Sequence, residues 1–298
     1  MIPTIPAKTI VSARMKSGWF GAPYNMNIYK GCCHGCIYCD SRSACYGVEN
    51  FDTVRAKENA LAVIESDLRR KRKGENGRDM LIMGAMSDPY NPFEKECELT
   101  RGALALAERY GFGMAIDTKS PLVLRDLDLL TAVARHAPVS VSFTITTLDD
   151  TLCRKLETAV APSSERFAAL AQLAQAGIPC GVLLMLVLPF INDNAENILG
   201  IVRQAHKSGA KWVYCGYGFG VTLRQNQREH FYQKLDGIFP GLTQRYIRTY
   251  GDTYSCPVPN HDALWRLFAA ECRRLGLLTR MGDIRDCVWE KYGQNRLF

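Results

Sequence analysis

Four cysteines and a histidine lie close together in the stretch YKGCCHGCIYCD, residues 29–40. Cys32, Cys36 and Cys39 have the spacing CxxxCxxC, and Gly31 and Gly35 allow the backbone to wrap closely around a bound group. Three thiolates around a four-iron cubane leave one iron without a protein ligand, so a further molecule can bind there. The spacing therefore predicts a 4Fe-4S cluster with one open iron, and Tyr38 is expected to shield one edge of the cluster from water.

A zinc site is the alternative explanation of the same residues. Cys33 with Cys36, and Cys36 with Cys39, each form a CxxC pair, and four sulfurs would close a tetrahedral site. Zinc sites usually take two ligand pairs that a longer loop separates, whereas these cysteines follow one another within a single short loop. We therefore expect a cluster, with Cys33 not a ligand and His34 orienting the loop.

The remaining composition is that of an ordinary globular protein, with 298 residues of which 47% are hydrophobic and 22% charged. No run reaches the roughly 18 apolar residues of a membrane span, and the first residues lack the apolar block of a signal peptide, so a cytoplasmic location is expected. Twelve cysteines in that reducing compartment do not predict a disulfide framework. The net charge of +7 would attract nucleic acid, phosphorylated substrates or an acidic protein without distinguishing them.

Apolar runs alternate with amphipathic stretches from about residue 55, which predicts βαβ units and a parallel sheet. The predicted strands cover residues 25–29, 80–84, 113–118, 139–145, 180–188 and 211–216. The predicted helices cover residues 55–72, 97–110, 124–135, 163–176, 194–208 and 225–238. These six β-then-α units predict the α/β class and a partial (β/α)6 TIM-like barrel with all carboxyl ends of its strands on one face.

Three regions follow from this pattern. Residues 1–24 are expected to form an N-terminal extension, residues 25–240 the partial barrel, and residues 241–298 a C-terminal cap packed on the barrel. The loops after the six strands read KGCCHGCIYCD, GAMSDPYNP, DTKSP, TITTLDD, LPFINDN and GYGFG. Because these polar or glycine-bearing loops share one face, they predict a common active-site mouth.

The cysteine spacing after a first strand resembles the radical S-adenosylmethionine (SAM) superfamily. The segments GAMSDPYNPFEKECELTRGAL, DTKSP, VSVSFTITTLDD, AGIPCGVLLMLVLPFINDN and LRQNQREHFYQKLDGIFPGL resemble its spore photoproduct lyase-related branch. The resemblance implies that SAM chelates the open iron and that its reductive cleavage gives a 5′-deoxyadenosyl radical, which abstracts hydrogen from a substrate. It also implies a nucleobase or nucleotide-like substrate and a reductant of the flavodoxin or ferredoxin type.

The resemblance assigns roles to further residues. Ser87 and Asp88 match a Ser-Asp pair beside SAM and the substrate and are the catalytic candidates, together with Cys215 at the end of the sixth strand. Lys119 matches a lysine near the SAM carboxylate, which is reasonable because an ammonium group pairs with a carboxylate. The other expected SAM-binding residues are Tyr38, Ser142, Thr144 and Tyr217.

One residue departs from the family pattern. In spore photoproduct lyases a cysteine precedes the matching Ser-Asp pair and returns a hydrogen atom to the repaired base, whereas Met86 stands here. A thioether has no S-H bond to donate, so repair of the spore thymine dimer by this route is expected only if Cys45, Cys97, Cys215 or another thiol replaces that cysteine. We therefore expect an enzyme related to spore photoproduct lyase that is not itself a true spore photoproduct lyase.

The substrate hypothesis also draws on a segment that interleaves cations with aromatic rings, a pattern suited to phosphate contact and base stacking. Its residues are Arg224, Arg228, His230, Arg245, Tyr246, Arg248, Tyr250 and Tyr254. Packing of a helical cap explains the pattern equally well. Modified-base processing or DNA lesion repair is the leading hypothesis; radical modification of another small molecule or peptide, and a non-catalytic metal-binding module, are the alternatives.

Overall fold

The computed structural model describes residues 2–13, 19–71, 79–216 and 218–293. The strands in these residues are β1 (Thr4–Ile5), β2 (Tyr24–Asn25), β3 (Tyr29–Lys30), β4 (Arg55–Lys57), β5 (Met80–Met83), β6 (Gly113–Thr118), β7 (Val139–Thr144), β8 (Cys180–Leu183), β9 (Trp212–Tyr214), β10 (Gly220–Thr222) and β11 (Ser255–Pro257). Six of them form one sheet in the order β2-β5-β6-β7-β8-β9, and every neighbouring pair is parallel. The sheet confirms the α/β class and the partial barrel, which is open because β2 and β9 are the edge strands of the described sheet.

The helices follow the strands along the chain. They are α1 (Ala60–Arg70), α2 (Glu94–Cys97), α3 (Leu99–Tyr110), α4 (Leu127–Val133), α5 (Asp150–Leu156), α6 (Ser163–Gln175), α7 (Ala195–Lys207), α8 (Gln227–Ile238), α9 (Leu242–Tyr250), α10 (His261–Arg274) and α11 (Met281–Trp289). Helix α7 shows why they form: Ile198, Ile201, Val202 and Ala205 lie on one buried stripe, and the Asn194 side chain accepts a hydrogen bond from the Asn197 backbone at its start.

Some predicted boundaries are wrong. The helix predicted for residues 55–72 begins instead as strand β4, which pairs with β1 and β3 in a small separate sheet, and the strand predicted for 25–29 is divided between β2 and β3. The strand predicted for 180–188 ends at Leu183. The apolar residues that follow it, including Leu184 and Leu188, are buried in a loop, so their apolarity reflects burial and not extended pairing.

The inner face of the sheet is covered by two segments that are remote in sequence. Phe20 and Ala22, which precede β2, and Ile284, Val288 and Trp289 of α11 belong to one buried cluster. The sheet contributes Met80, Ile82, Ala115, Leu183, Trp212 and Tyr214 to this cluster. A larger apolar cluster lies between the outer face of the sheet and the helices that surround it.

All six residues of β6 and of β7 are buried, as expected for strands of a parallel sheet that is covered on both faces. Within the described ranges, no helix has the length and apolar character needed to cross a membrane.

Candidate active site at the carboxyl end of the sheet

A cavity of about 150 Å³ opens where the central strands of the parallel sheet end. Residues 32–41 form one wall, the loop after β5 forms a second, and the ends of β6 and β7 form the floor. Its lining residues are Cys32, His34, Cys36, Cys39, Ser41, Gly84, Ala85, Met86, Ser87, Asp88, Asp117, Thr118, Lys119 and Thr144. The sheet thus brings together side chains from four separate segments of the chain.

The three cysteines of the CxxxCxxC spacing all line this cavity, whereas Cys33 does not. Cys33 is half-buried against the hydrophobic core, and burial raises the pKa of its thiol to about 11. Three thiols on one wall, with a fourth turned away, are the donor set that fits a cluster with one open iron.

The cysteine loop is attached to the segment that follows α5. The Ile37 backbone N-H donates to the Leu156 carbonyl at 3.0 Å, and the Ala159 N-H donates to the His34 carbonyl at 3.0 Å. Gly35 lies between these bonds with a φ of +67°, and a Cβ atom there would stand 2.2 Å from the Thr158 Oγ1. Only glycine fits this position without displacing a neighbour.

A buried network of hydrogen bonds and an ion pair connects the same loop to the protein interior. The Tyr38 hydroxyl and the Arg166 guanidinium both donate hydrogen bonds to the Glu157 carboxylate, and all three side chains are buried. Burial alone would raise the pKa of Glu157, but Arg166 and then Lys119 outweigh burial and hold this pKa below its ordinary value. Tyr38 therefore lies behind the cysteine loop, outside the cavity lining, where it anchors the loop.

Asp88 connects the loop after β5 to the end of β6. Its Oδ1 accepts hydrogen bonds from the Thr118 hydroxyl at 2.7 Å and the Tyr90 backbone N-H at 2.8 Å, and its Oδ2 accepts one from the Lys119 backbone N-H at 2.7 Å. His34 Nδ1 lies 3.5 Å from the same Oδ2. With these partners Asp88 fixes the shape of the cavity, which is a positioning role.

Ser87 is buried in the cavity wall, and its hydroxyl donates to the Tyr29 carbonyl at 3.0 Å. Gly84, in the same loop, has a φ of +106°, and a Cβ atom there would lie 2.0 Å from the Asp117 carbonyl oxygen. The loop after β5 therefore lies directly against β6.

Lys119 and Thr144 line the cavity at the ends of β6 and β7. Burial alone would lower the pKa of Lys119, but the neighbouring Cys36 and Glu157 side chains outweigh burial and raise this pKa above its ordinary value. The ammonium group consequently stays charged at neutral pH. A fixed cation beside three thiols suits an anionic part of a ligand.

Sequence reasoning did not identify Asp117, which also lines the cavity. Asp117 pairs in register with Ser142 of β7, and its Oδ2 accepts a hydrogen bond from the Trp19 indole N-H at 2.9 Å. Ser142 itself is buried beside Asp117 and is not part of the cavity lining. The signal that was available is a single acidic residue in the otherwise uncharged strand GMAIDT.

Two other candidates are not in the cavity. Cys215 is buried in the outer apolar cluster with Cys272, because the alternation of side chains along β9 turns it away from the inner face that Tyr214 occupies. We therefore do not retain Cys215 as a catalytic candidate. Tyr217 lies outside the described residues.

The segment of interleaved cations and aromatic rings is partly internal, with Tyr246 buried and Arg245, Arg248 and Tyr254 exposed. Tyr246 is fully buried, packs edge-on against Phe231 with ring centroids 5.4 Å apart, and donates its hydroxyl hydrogen to the Pro189 carbonyl. Arg228 donates to backbone carbonyls, including that of Thr253 at 2.7 Å. Packing within the cap, the alternative explanation of this pattern, therefore accounts for Tyr246 and Arg228, whose partners lie within the protein.

Comparison with known proteins identifies the family. Residues 26–202 match the radical SAM superfamily. An uncharacterized protein of Mycobacterium tuberculosis is 32% identical over 233 residues, which cover 76% of this chain and 67% of that protein. An uncharacterized protein of Methanocaldococcus jannaschii is 30% identical over 184 residues, which cover 60% of this chain and 66% of that protein.

Solved structures of spore photoproduct lyase have the same fold. A single-substitution variant gives a TM-score of 0.65 at 13% identity and covers 90% of this chain and 79% of that chain. Spore photoproduct lyase complexed with dinucleoside spore photoproduct gives 0.61 at 15% identity, with 87% of this chain and 76% of that chain covered. At these identities the likeness concerns the fold alone.

The matched range covers the cysteine loop and strands β5 to β8, and it contains all the residues that line the cavity. Members of this family use a 4Fe-4S cluster, SAM and an external reductant, and the donor set of the cavity fits the cluster. The chain belongs to the radical SAM superfamily and is a radical SAM enzyme with the fold of spore photoproduct lyase.

Proposed function

We propose that this enzyme cleaves SAM reductively at a 4Fe-4S cluster held by Cys32, Cys36 and Cys39, and abstracts hydrogen from a nucleobase or nucleotide-like substrate. When bound, the reduced cluster supplies the electron that converts SAM into methionine and a 5′-deoxyadenosyl radical. The observation that carries the proposal is the convergence of these three thiols, without Cys33, on a cavity that also contains a charged lysine.

The remaining residues of the cavity bind and orient. Lys119 pairs with the SAM carboxylate, Thr144 and Ser142 lie on the strand assigned to the rest of SAM, and Ser87 and Asp88 shape the wall between SAM and substrate. Asp88 has its hydrogen-bonding capacity engaged by Thr118, Tyr90 and Lys119, so we assign it to positioning and not to proton transfer.

We base the proposed substrate class on the solved structures of the same fold, one of which is a spore photoproduct lyase complexed with dinucleoside spore photoproduct. We propose the same class of substrate for this enzyme but not the same reaction, because Met86 cannot return a hydrogen atom as a thiol does. A flavodoxin or ferredoxin is the reductant that we propose, since such acidic carriers suit a protein with a net charge of +7.

The test uses the anaerobically reconstituted and reduced protein with SAM, and measures 5′-deoxyadenosine by mass spectrometry. We expect the wild type to form 5′-deoxyadenosine and Cys36→Ala to form none. The matched control is Cys45→Ala, because Cys45 is exposed and does not line the cavity. Full activity of Cys36→Ala would contradict the assignment of the ligands.

The same assay separates the substrate classes. Bases, nucleosides, oligonucleotides and short peptides are added in turn, and we expect bases or nucleosides to increase 5′-deoxyadenosine most. A response to peptides alone would overturn the substrate class while leaving the cluster assignment intact. A wild type that forms no 5′-deoxyadenosine under any condition would overturn the enzymatic proposal as a whole.

A further inference from the structure

Asp117 has a carboxyl oxygen that lacks a partner inside the candidate site. The residue is only 9% exposed, and its side chain lines the cavity. Oδ2 accepts the hydrogen bond from Trp19, whereas Oδ1 has no hydrogen-bond partner among the described residues. A buried polar atom without a partner destabilises the folded state, so such an atom in the wall of a ligand cavity indicates that a ligand supplies the partner.

The direction of the carboxyl group is fixed by its surroundings. The Trp19 ring packs edge-on against Tyr214, with ring centroids 5.2 Å apart, and against Phe20 at 5.6 Å. These contacts hold the indole N-H in place on one oxygen. Gly84 lies against the backbone of Asp117, and Ser142 lies beside it on β7. The carboxyl group therefore has a defined position in the cavity wall.

The chemistry of the carboxyl group narrows the class of ligand. Burial raises the pKa of Asp117 to about 7, against the opposing effects of the Trp19 hydrogen bond, the neighbouring Ser142 hydroxyl and Lys119. Both protonation states are therefore populated near neutral pH. The ionised form needs an N-H donor and the protonated form needs a carbonyl acceptor. A lactam edge, in which a ring N-H stands beside a carbonyl, satisfies either form.

We propose that Asp117, held by Trp19, is a substrate-binding residue whose Oδ1 recognises the lactam edge of a nucleobase such as uracil or guanine. This inference rests on the proposed function, because it concerns the substrate of the same site. Lys119, two residues further along the chain and directly after β6, keeps its assignment to SAM. Asp117 thus selects the base, and Lys119 holds the cofactor.

The test measures the affinity of two pairs of nucleosides that each differ by one N-H group. Uridine is compared with 3-methyluridine, and guanosine with 1-methylguanosine, by equilibrium dialysis against the reconstituted, oxidised protein with SAM present. We expect the wild type to bind the unmethylated member of at least one pair about 5- to 150-fold more tightly. This is the loss of affinity expected when the methyl group leaves one buried polar group without a hydrogen-bond partner.

Three variants show whether Asp117 causes this preference. Asp117→Ala is expected to bind both members alike, and Asp117→Asn to keep part of the preference because its amide also presents an acceptor and a donor. The control is Asp126→Asn, a buried carboxyl outside the cavity that Arg101 and Arg125 engage, and it should keep the full preference. Thermal unfolding of each variant shows that it is folded.

The outcomes are distinguishable from those of the proposed function. A wild type that binds neither uridine nor guanosine, or binds the methylated members equally well, overturns the inference, as does a preference that survives in Asp117→Ala. A more than tenfold loss of SAM affinity in Asp117→Ala would assign the residue to the cofactor instead. Formation of 5′-deoxyadenosine by the wild type is measured separately, so the enzymatic proposal stands or falls independently.

Discussion

At the scale of single residues, the end of β6 presents two opposite charges toward one cavity. Asp117 lies in β6 and Lys119 directly follows this strand, and both residues line the cavity. Both are surrounded by buried groups, and their pKa values are raised for different reasons: burial dominates for Asp117, whereas neighbouring acidic groups outweigh burial for Lys119. Each shift leads to a measurable consequence.

The charge of Lys119 should contribute to SAM affinity. We expect Lys119→Met to raise the dissociation constant for SAM about 10- to 150-fold, because a hydrogen bond to a charged group contributes about 1.5 to 3 kcal/mol. Isothermal titration under anaerobic conditions measures it. Lys155→Met, which removes an exposed lysine from α5, is the matched control and should bind SAM as the wild type does. Unchanged affinity in Lys119→Met would reject the carboxylate role.

The raised pKa of Asp117 predicts a pH-dependent stability. The native state holds a proton up to about pH 7, whereas the unfolded carboxyl releases it near about pH 3.9. The stabilising contribution of the protonated form is therefore complete below about pH 4 and is lost as the pH rises through 7. An asparagine side chain does not titrate, so Asp117→Asn does not undergo this loss of stability. The difference in the free energy of unfolding, variant minus wild type, should therefore be about 2 to 3 kcal/mol larger at pH 8 than at pH 5. Urea denaturation at both values measures the difference, and an equal difference at both would contradict the burial of a titrating Asp117.

At the scale of elements, the cysteine loop depends on the segment after α5, which holds it by backbone hydrogen bonds and by close contact at Gly35. We expect Gly35→Ala to lower the iron bound per chain after reconstitution more than Gly47→Ala does. Both glycines have positive φ, but an added Cβ at Gly47 meets no atom within 4 Å, whereas at Gly35 it meets Thr158. The comparison therefore separates the steric contact from the backbone strain that both variants share.

A second substitution makes this test stricter. In Gly35→Ala/Thr158→Ala the conflicting hydroxyl is absent, so iron binding should return to the level of Gly47→Ala. Equal iron content in Gly35→Ala and Gly47→Ala would show that the contact between the two segments does not matter for the cluster loop.

The elements also show what the sequence can predict. Five of the predicted strands overlap β5 to β9, because the burial of a parallel strand produces an apolar run that is local in sequence. The spacing of Cys32, Cys36 and Cys39 is likewise local, and the three lie in one cavity. The short pairing of β1 with β4 has no such periodicity, since each strand has only two or three residues.

The unpredicted part of the site depends on long-range contacts. Trp19 and Asp117 are 98 positions apart, and Tyr38 and Glu157 are 119 apart. Nothing in either local stretch indicates its partner. Arg166 lies in the first turn of α6, and its burial against Glu157 is visible only once α5 and α6 are folded together.

At the scale of the whole molecule, residues 19–22 and helix α11 together cover the inner face of the sheet and place Trp19 beneath the cavity. Trp289 is 3% exposed in this cluster, and an added Cβ at Gly21 would lie 2.9 Å from its Nε1. We expect Trp289→Ala to lower the free energy of unfolding by about 3 to 5 kcal/mol, the usual cost of removing a buried aromatic side chain.

Urea denaturation tests this value, with Leu267→Ala as the control. Leu267 lies on α10 and is 47% exposed, so its truncation should change the free energy of unfolding by no more than about 0.5 kcal/mol. A similar small loss in both variants would mean that α11 is not part of the structural core.

The central claim is that three cysteines hold a 4Fe-4S cluster and leave one iron for SAM. The most direct test is the electron paramagnetic resonance spectrum of the anaerobically reconstituted and reduced protein, recorded before and after addition of SAM. We predict the signal of a reduced 4Fe-4S cluster whose g values change when SAM is added, because SAM binds the open iron. A colourless protein that retains zinc, or a cluster signal that SAM leaves unchanged, would contradict the account.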